Sequence, residues 1–381
     1  MIKNIYVITP EYPSEKEPYI FPFVDQLVCA LKDKGLDVTV IKPYDMIKAK
    51  SIGDLTWVRK TPNGNIVKVY SPCALTLTTH KFGIFNFGAI SERLFNKAVY
   101  RIIKRQNSTP DILYSHFLFP AGACVSKIGY KIGVPSVCAF GESSLWSIRE
   151  IGLKGARKRL SNLSGVVAVS TNNKNVLLKN RLIESNKIIV IPNAVNKQVF
   201  SPGSKSEARK NLNLPQNAII GIYNGAFSRA KGALRVDQAT KGIIGLSMVY
   251  LGGGKEEPCG SNILFKGRVA HENVPMWLRA ADFFILPTLE EGCCNAVIEA
   301  MSVGLPIITS DKPFNYDILD KKSALLVDPL DVDAIHNAMK RLVQSEELRI
   351  KLGDASLKKS VNLDINTRAE KILDFLNNVS K

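Results

Sequence analysis

The feature that most narrows the fold is a rhythm. Short apolar, β-branched runs alternate with amphipathic stretches, beginning with IYVIT (5–9), VDQLVCALKDKG (24–35) and LDVTVI (36–41). Runs this apolar suit strands buried on both faces, and Gly35 supplies the residue type that ends a helix. Strand, helix and strand in that order form a βαβ unit, the building block of a parallel sheet. The rhythm resumes with DILYS (111–115), VPSVCAF (134–140), GVVAVS (165–170) and KIIVIP (187–192).

After IPNAVNKQVFSPGSK the chain turns polar and rich in Pro, Gly and Asn, and a second series begins. Its strands read as AIIGIYN (218–224), LSMVYLG (246–252), NILFKG (262–267), DFFILP (282–287), LPIITS (305–310) and ALLVDP (324–329). The boundary is placed near residues 197–216. Two doubly wound α/β domains are expected, 1–200 and 201–364, facing each other across a cleft, with 365–381 as a final helix packing back on the first. Such sheets bind ligands at the carboxyl ends of their strands, so the cleft is the expected active site.

Composition excludes several classes. The chain has 381 residues, 45% of them hydrophobic, enough to bury substantial cores. Seven cysteines, adjacent only at Cys293 and Cys294 and without any CxxC pair, point to reduced thiols and away from a disulfide scaffold or a zinc site. MIKNIYVITPEYP lacks the basic and long apolar regions of an export signal. No run of about 18 apolar residues offers a spanning helix, so a cytoplasmic protein is expected. The formal charge of +17 is uneven, with 28 Lys and Arg against 13 Asp and Glu in residues 1–200 and 23 against 21 in the rest. The basic half implies an anionic partner: nucleic acid, a membrane surface or a phosphorylated substrate.

The stretch EEGCCNAVIEAM (290–301) carries the sharpest chemistry. It follows a buried strand, turns at Gly292 and opens a helix that Gly304 ends. The free amides at that helix tip, near Cys294, Asn295 and Ala296, make an anion seat. Asn295 and Glu299 lie one turn apart on one face, while Glu291 sits on the turn. A phosphate at the tip would lie between Glu291, within reach of a sugar, and Glu299, able to accept two ribose hydroxyls. The alternative is that Glu291 caps the helix and Glu299 is solvated.

The run HENVPMWLRAADFFILPTLEEGCCNAVIEAMSVGLPIITSD resembles the retaining glycosyltransferases of family 4, whose fold is called GT-B. The order of YVITPEYP, DILYSHFLFPAGA, VVAVSTNNKN, VIPNAVNKQVFSP, NGAFSRAKG, YLGGGKEE and ALLVDP extends that resemblance over most of the chain. It implies sugar transfer from a nucleoside diphosphate, UDP being favoured, with retention of configuration and no obligatory metal or other cofactor. Glu299 is then the ribose ligand, Glu291 touches the donor sugar, and the amides of Asn295 and Ala296 meet the diphosphate.

The family's basic pair reads Gly, Arg and a later Lys. Here Gly225 is followed by Ala226, Lys231 stands where expected, and Arg229 is the substitute for the missing Arg. Two such cations would stabilise a leaving diphosphate as a metal does elsewhere. Many relatives carry a His before the Gly in VCAFGESSLW; this chain has Phe140, Gly141 and Glu142, and Glu142 either binds acceptor hydroxyls or caps the next helix. His116, after a strand, would face the cleft, or serve as a structural residue. Val269 would border the base. The loop EKEPYIFPF (15–23) would line the acceptor site through Tyr19 and Phe21, a variant similar to members that build capsule, exopolysaccharide or teichuronic-type polymers.

Segment 92–105, ERLFNKAVYRIIKR, gathers its apolar residues on one side and its cations on another. It either packs on its domain or lies on an anionic bilayer. The family's lipid-linked acceptors favour the bilayer, and with it peripheral contact at the inner face of the cell membrane. Asp331 and Asp333 form a DxD, but first-turn acids after Pro329 are ordinary. The rival readings are a nucleotide-sugar epimerase of the same fold and a nucleic-acid binder, the latter without any standard motif.

Overall fold

The computed structural model describes residues 1–14, 20–45, 53–74, 81–82, 85–149 and 151–380. The chain divides into two compact units, Met1–Ile191 with Asn366–Lys381, and Pro192–Ile365.

The first unit is built on eight strands: β1 (Asn4–Ile8), β2 (Asp37–Ile41), β3 (Leu55–Lys60), β4 (Ile66–Ser71), β5 (Ile112–His116), β6 (Ser136–Phe140), β7 (Gly165–Ala168) and β8 (Ile188–Val190). They lie in the order β8-β7-β6-β5-β1-β2-β4-β3, parallel except for the β3–β4 pair. β5, β6 and β7 are buried along their whole length, and β1 along all but Asn4, which requires helices on both faces. The helices include α1 (Pro22–Asp33), α2 (Phe87–Arg105), α3 (Ala123–Ile132), α4 (Gly152–Leu160) and α5 (Thr171–Lys179). Strand order reverses beside β1, with β2 on one flank and β5 on the other, so the carboxyl ends of β1 and β5 border a switch point.

Helix α2 corrects one expectation. Phe95, Val99, Ile102 and Ile103 are all buried in the core cluster of this unit, and Ala98 between them is buried as well. Arg101 and Arg105 both bridge Asp54, at 2.5 and 3.0 Å. The apolar face that would have entered a bilayer is already spent on packing. Among the described residues no helix is long and apolar enough to cross a membrane.

The second unit has β9 (Ile219–Asn224), β10 (Leu246–Leu251), β11 (Ile263–Gly267), β12 (Phe283–Leu286), β13 (Ile307–Ser310) and β14 (Ala324–Val327). All are parallel, in the order β11-β10-β9-β12-β13-β14. Its helices include α6 (Lys205–Asn211), α7 (Ala233–Ala239), α8 (Val274–Ala280), α9 (Asn295–Val303), α10 (Val332–Gln344) and α11 (Glu346–Ser360). The chain runs outward from β9 to β11 and returns on the other flank of β9, which sets the switch point between β9 and β12. Arg209 of α6 pairs with Asp282 at 2.7 Å, both side chains 3% exposed, and Asp282 also accepts the Ile220 amide. Asp331 caps α10 by accepting from the Ala334 amide, the ordinary role for a first-turn acid.

The chain enters the second unit at Pro192, ahead of the polar stretch that marked the boundary in the sequence. Val195 donates to the Leu363 carbonyl and accepts from the Ile365 amide, both at 3.0 Å, so the entering and leaving segments pair. Phe200 is 1% exposed, which ties residues 192–200 into the second unit. The last helix, α12 (Ile365–Val379), joins the first unit from Asn366 onward. Asn377 accepts the Ile2 amide, Glu370 bridges Lys34, and Phe375 presses on Gly165 so closely that a Cβ there would meet its ring at 2.6 Å.

Candidate active site

At the carboxyl edge of the second sheet, the loops after β9, β10 and β12 are stitched together. Gly252 lies at φ 153° with its ideal Cβ only 2.0 Å from the Gly225 carbonyl, so only glycine lets the β9 and β10 loops approach this closely. Phe227 donates to the Gly253 carbonyl and its own carbonyl accepts the Glu256 amide. From the β12 side, Leu289 donates to the Ala230 carbonyl at 2.8 Å. Arg235 clamps both loops, reaching the carbonyls of Arg229 (2.7 Å) and Pro287 (2.9 Å).

This scaffold joins the two residues that the sequence singled out. The Lys231 ammonium and the Glu291 carboxylate form a half-buried ion pair. Burial works to lower the Lys231 pKa, but the adjacent Glu291 charge outweighs it and holds the lysine charged. Arg229 lies exposed in the same loop and, among the described residues, enters no ion pair. Cys294 is buried, and burial, reinforced by the Glu291 charge, raises its thiol pKa well above the ordinary range, so it is no nucleophile.

Helix α9 begins directly after. Its N-cap, Cys294, makes no side-chain capping bond and its first turn contains no acid. Glu291 is therefore occupied with Lys231 and does not cap the helix, and the first amides, those of Asn295 and Ala296, have no intrahelical partner. The Asn295 side-chain oxygen is buried without a hydrogen bond. One turn deeper, Glu299 is 6% exposed and lies 3.0 Å from the His271 Nε2, so it is not a solvated residue. Burial pulls the His271 pKa down, yet the hydrogen bond and charge of Glu299 together raise it above the ordinary value. The His271 ring packs 5.4 Å from Phe200. Val269 is half-buried on the loop between β11 and His271.

Sequence reasoning missed His271 and Arg235. A carboxylate as buried as Glu299 needs a partner, and that need was the available signal. The contact links positions 28 apart, which periodicity does not show.

In the first unit the predicted residues gather at the β1–β5 switch point but differ from expectation. His116 is 4% exposed, its Nε2 is without a hydrogen bond, and its ring meets Tyr114, Phe23 and Phe117. Burial, aided by the Arg368 charge, lowers its pKa to about 3, so the ring is neutral and enclosed by aromatic residues. Phe21 joins that cluster, 5.0 Å from Phe117, and begins α1 at φ 46°. Glu142 corrects both of its expected roles. It is buried and its carboxylate is turned inward, accepting from the amides of Leu118 (2.9 Å) and Gly141 (3.2 Å) and from the Ser147 hydroxyl. Burial pushes its pKa up to about 7 despite those donors. Tyr19 lies outside the described residues.

The profile of glycosyltransferase family 4 matches residues 22–199, and that of the glycosyl transferases group 1 matches residues 222–345. The chain belongs to the family 4 glycosyltransferases. This glycosyltransferase is 27% identical over 357 residues to TuaC of Bacillus subtilis, named as a teichuronic acid biosynthesis glycosyltransferase, a match covering 89% of this chain and 88% of TuaC. It is also 27% identical over 228 residues to the Escherichia coli enzyme named UDP-Gal:alpha-D-GlcNAc-diphosphoundecaprenol alpha-1,3-galactosyltransferase, covering 55% of this chain and 59% of that one. Among solved structures, Anabaena HepE in complex with UDP-glucose superposes with a TM-score of 0.73 at 13% identity, covering 98% of this chain and 100% of that one. Sucrose-phosphate synthase from Thermosynechococcus elongatus does so at 0.77 and 17%, covering 99% of both chains. At such identities the likeness is one of fold, the GT-B class.

Proposed function

We propose that this glycosyltransferase moves a sugar from a UDP-linked donor to a lipid-linked saccharide acceptor in the synthesis of a cell-surface polysaccharide, with retention of anomeric configuration. The observation that carries the reading is the Lys231–Glu291 pair at the β9–β12 switch point, beside the uncapped tip of α9 and in front of the buried Glu299–His271 pair. In this reading the free amides and Lys231 hold the diphosphate, Glu299 accepts the ribose hydroxyls, and Glu291 contacts the donor sugar. The names of TuaC and of the Escherichia coli enzyme support the polymer and the lipid-diphosphate acceptor. HepE, solved with UDP and with UDP-glucose, supports the base.

In the reaction so proposed, the bond from the anomeric carbon to the diphosphate oxygen breaks and the acceptor hydroxyl attacks from the same face. The leaving phosphate oxygen takes the acceptor proton. Lys231 and Arg229 neutralise the charge that develops on the diphosphate, so the protein contributes positioning and electrostatics.

The test is turnover of a nucleotide-sugar panel with and without lipid-diphosphate saccharides, with the product anomer read by NMR and EDTA added in parallel. UDP release that requires the acceptor, survives EDTA and gives a retained anomer is the expected result. Activity with GDP-sugars alone, an inverted product, loss of turnover in EDTA or epimerisation without acceptor would each overturn the matching part.

A further inference from the structure

Just beyond the carboxyl end of β6, residues between Ser144 and Arg149, with Gly152 and Leu153, surround an open recess of about 350 Å³. Leu145, Trp146, Ile148 and Leu153 line it together with Arg149. Trp146 is 64% exposed and Leu153 40%, whereas Trp277 is buried and Trp57 half-buried. Residues 143–160 carry Arg149, Lys154, Arg157, Lys158 and Arg159 against a single acid, Glu150. Two of these cations fix α4 in place: Arg159 bridges Glu92 at 2.7 Å, and Arg157 donates to the Asn180 carbonyl at 3.0 Å. Arg149, Lys154 and Lys158 are exposed, Arg149 in the wall of the recess and the two lysines on α4, which begins at it.

An exposed indole beside a leucine, ringed by cations, is the arrangement that seats a protein at an anionic membrane interface. The ring enters at headgroup depth while the cations meet lipid phosphates. We propose that this Trp146–Leu153 tip, with Arg149, Lys154 and Lys158, docks the first unit onto an anionic phospholipid surface. The inference deepens the lipid-linked acceptor reading and rests on it, since the tip adjoins the carboxyl edge of the first sheet. It also replaces α2 as the membrane-facing element, because Trp146 and Leu153 are exposed where the apolar residues of α2 are buried.

The test is cosedimentation of the full chain with vesicles of phosphatidylcholine alone or mixed with phosphatidylglycerol, without donor or acceptor, so that it stands apart from turnover. Binding to the mixed vesicles only, a shift of tryptophan emission to shorter wavelength and release by high salt are expected. Each cation near an anionic leaflet strengthens partitioning roughly five-fold, so the triple variant R149Q/K154Q/K158Q should partition about 100-fold more weakly. Trp146→Ala should lose the emission shift and most of the binding, with unchanged melting temperature in both variants.

The proposal is overturned if wild type stays unbound to anionic vesicles at low salt, or if both variants bind as wild type does. It is equally overturned if sedimentation reveals a dimer that Trp146→Ala dissolves, since the tip then serves a second copy. Vesicle binding that persists while no saccharide acceptor supports turnover would reject the proposed function and leave the docking site standing.

Discussion

Lys231 and Arg229 come from the same loop, but the structure treats them differently. Lys231 is held by Glu291 at the helix tip, whereas Arg229 is exposed. Lys231→Ala is therefore expected to lower kcat by about 10²–10³-fold, the usual cost of removing one preorganised charge-stabilising group, and Arg229→Ala by clearly less. Steady-state kinetics with saturating donor decide this, and an equal loss in both variants would make Arg229 a full partner. Glu299→Gln tests the ribose assignment. A hydrogen bond to a charged group is worth about 1.5–3 kcal/mol, so UDP affinity should fall roughly 10- to 100-fold. The preference for UDP over its 2′,3′-dideoxy analogue should vanish in the same variant, as titration calorimetry would show. Glu291, Lys231 and Glu299 were legible because they belong to short motifs on one turn or one helix. His271 was not, because its role exists only once α8 and α9 lie side by side, and no local pattern announces that.

Helix α9 makes the anion seat with backbone, which allows a test that leaves side chains nearly aside. Asn295 is the first residue of the helix and Cys294 before it is extended, at φ −80° and ψ 108°, the conformation that a following proline requires. Asn295→Pro thus keeps the helix and removes one amide, while Asn295→Ala removes only the side chain. UDP should bind about ten-fold more weakly to the proline variant than to the alanine variant, one charge-assisted hydrogen bond's worth. Equal affinities in titration calorimetry would mean that the helix tip holds no phosphate. The parallel strands were readable as apolar runs because both their faces are buried. The β3–β4 hairpin escaped that reading: β3 exposes nearly every residue, and only the turn at Asn63 and Gly64, with Gly64 at φ 82°, marked it. The boundary was misplaced for a related reason, since composition registers the polar stretch after Phe200 but not the pairing of Val195 with the segment before α12.

Stability and ligand response belong to the whole chain. Glu142 has its pKa raised to about 7 by burial, so the folded protein favours its protonated form. Its contribution is complete below the ordinary carboxyl pKa of about 4.3 and is lost as pH rises through 7. His116, lowered to about 3 by burial and Arg368, has the opposite sense and costs stability as pH falls below its ordinary value. Both proteins carry His116, so the melting-temperature difference between Glu142→Gln and wild type isolates the carboxyl, and it should grow in favour of the variant from pH 5 to pH 8. A constant difference would show that Glu142 ionises without cost. UDP supplies the complementary probe. At 100 times its dissociation constant it should add about 2.7 kcal/mol to the stability of whatever it binds. Because Lys231, α9, Glu299 and His271 all lie within Pro192–Ile365, amide hydrogen exchange should slow at residues 225–232 and at the first turn of α9. Protection confined to residues 20–23 and 117–122, with none at the α9 tip, would move the nucleotide to the aromatic cluster around His116 and reverse the assignment of the two units.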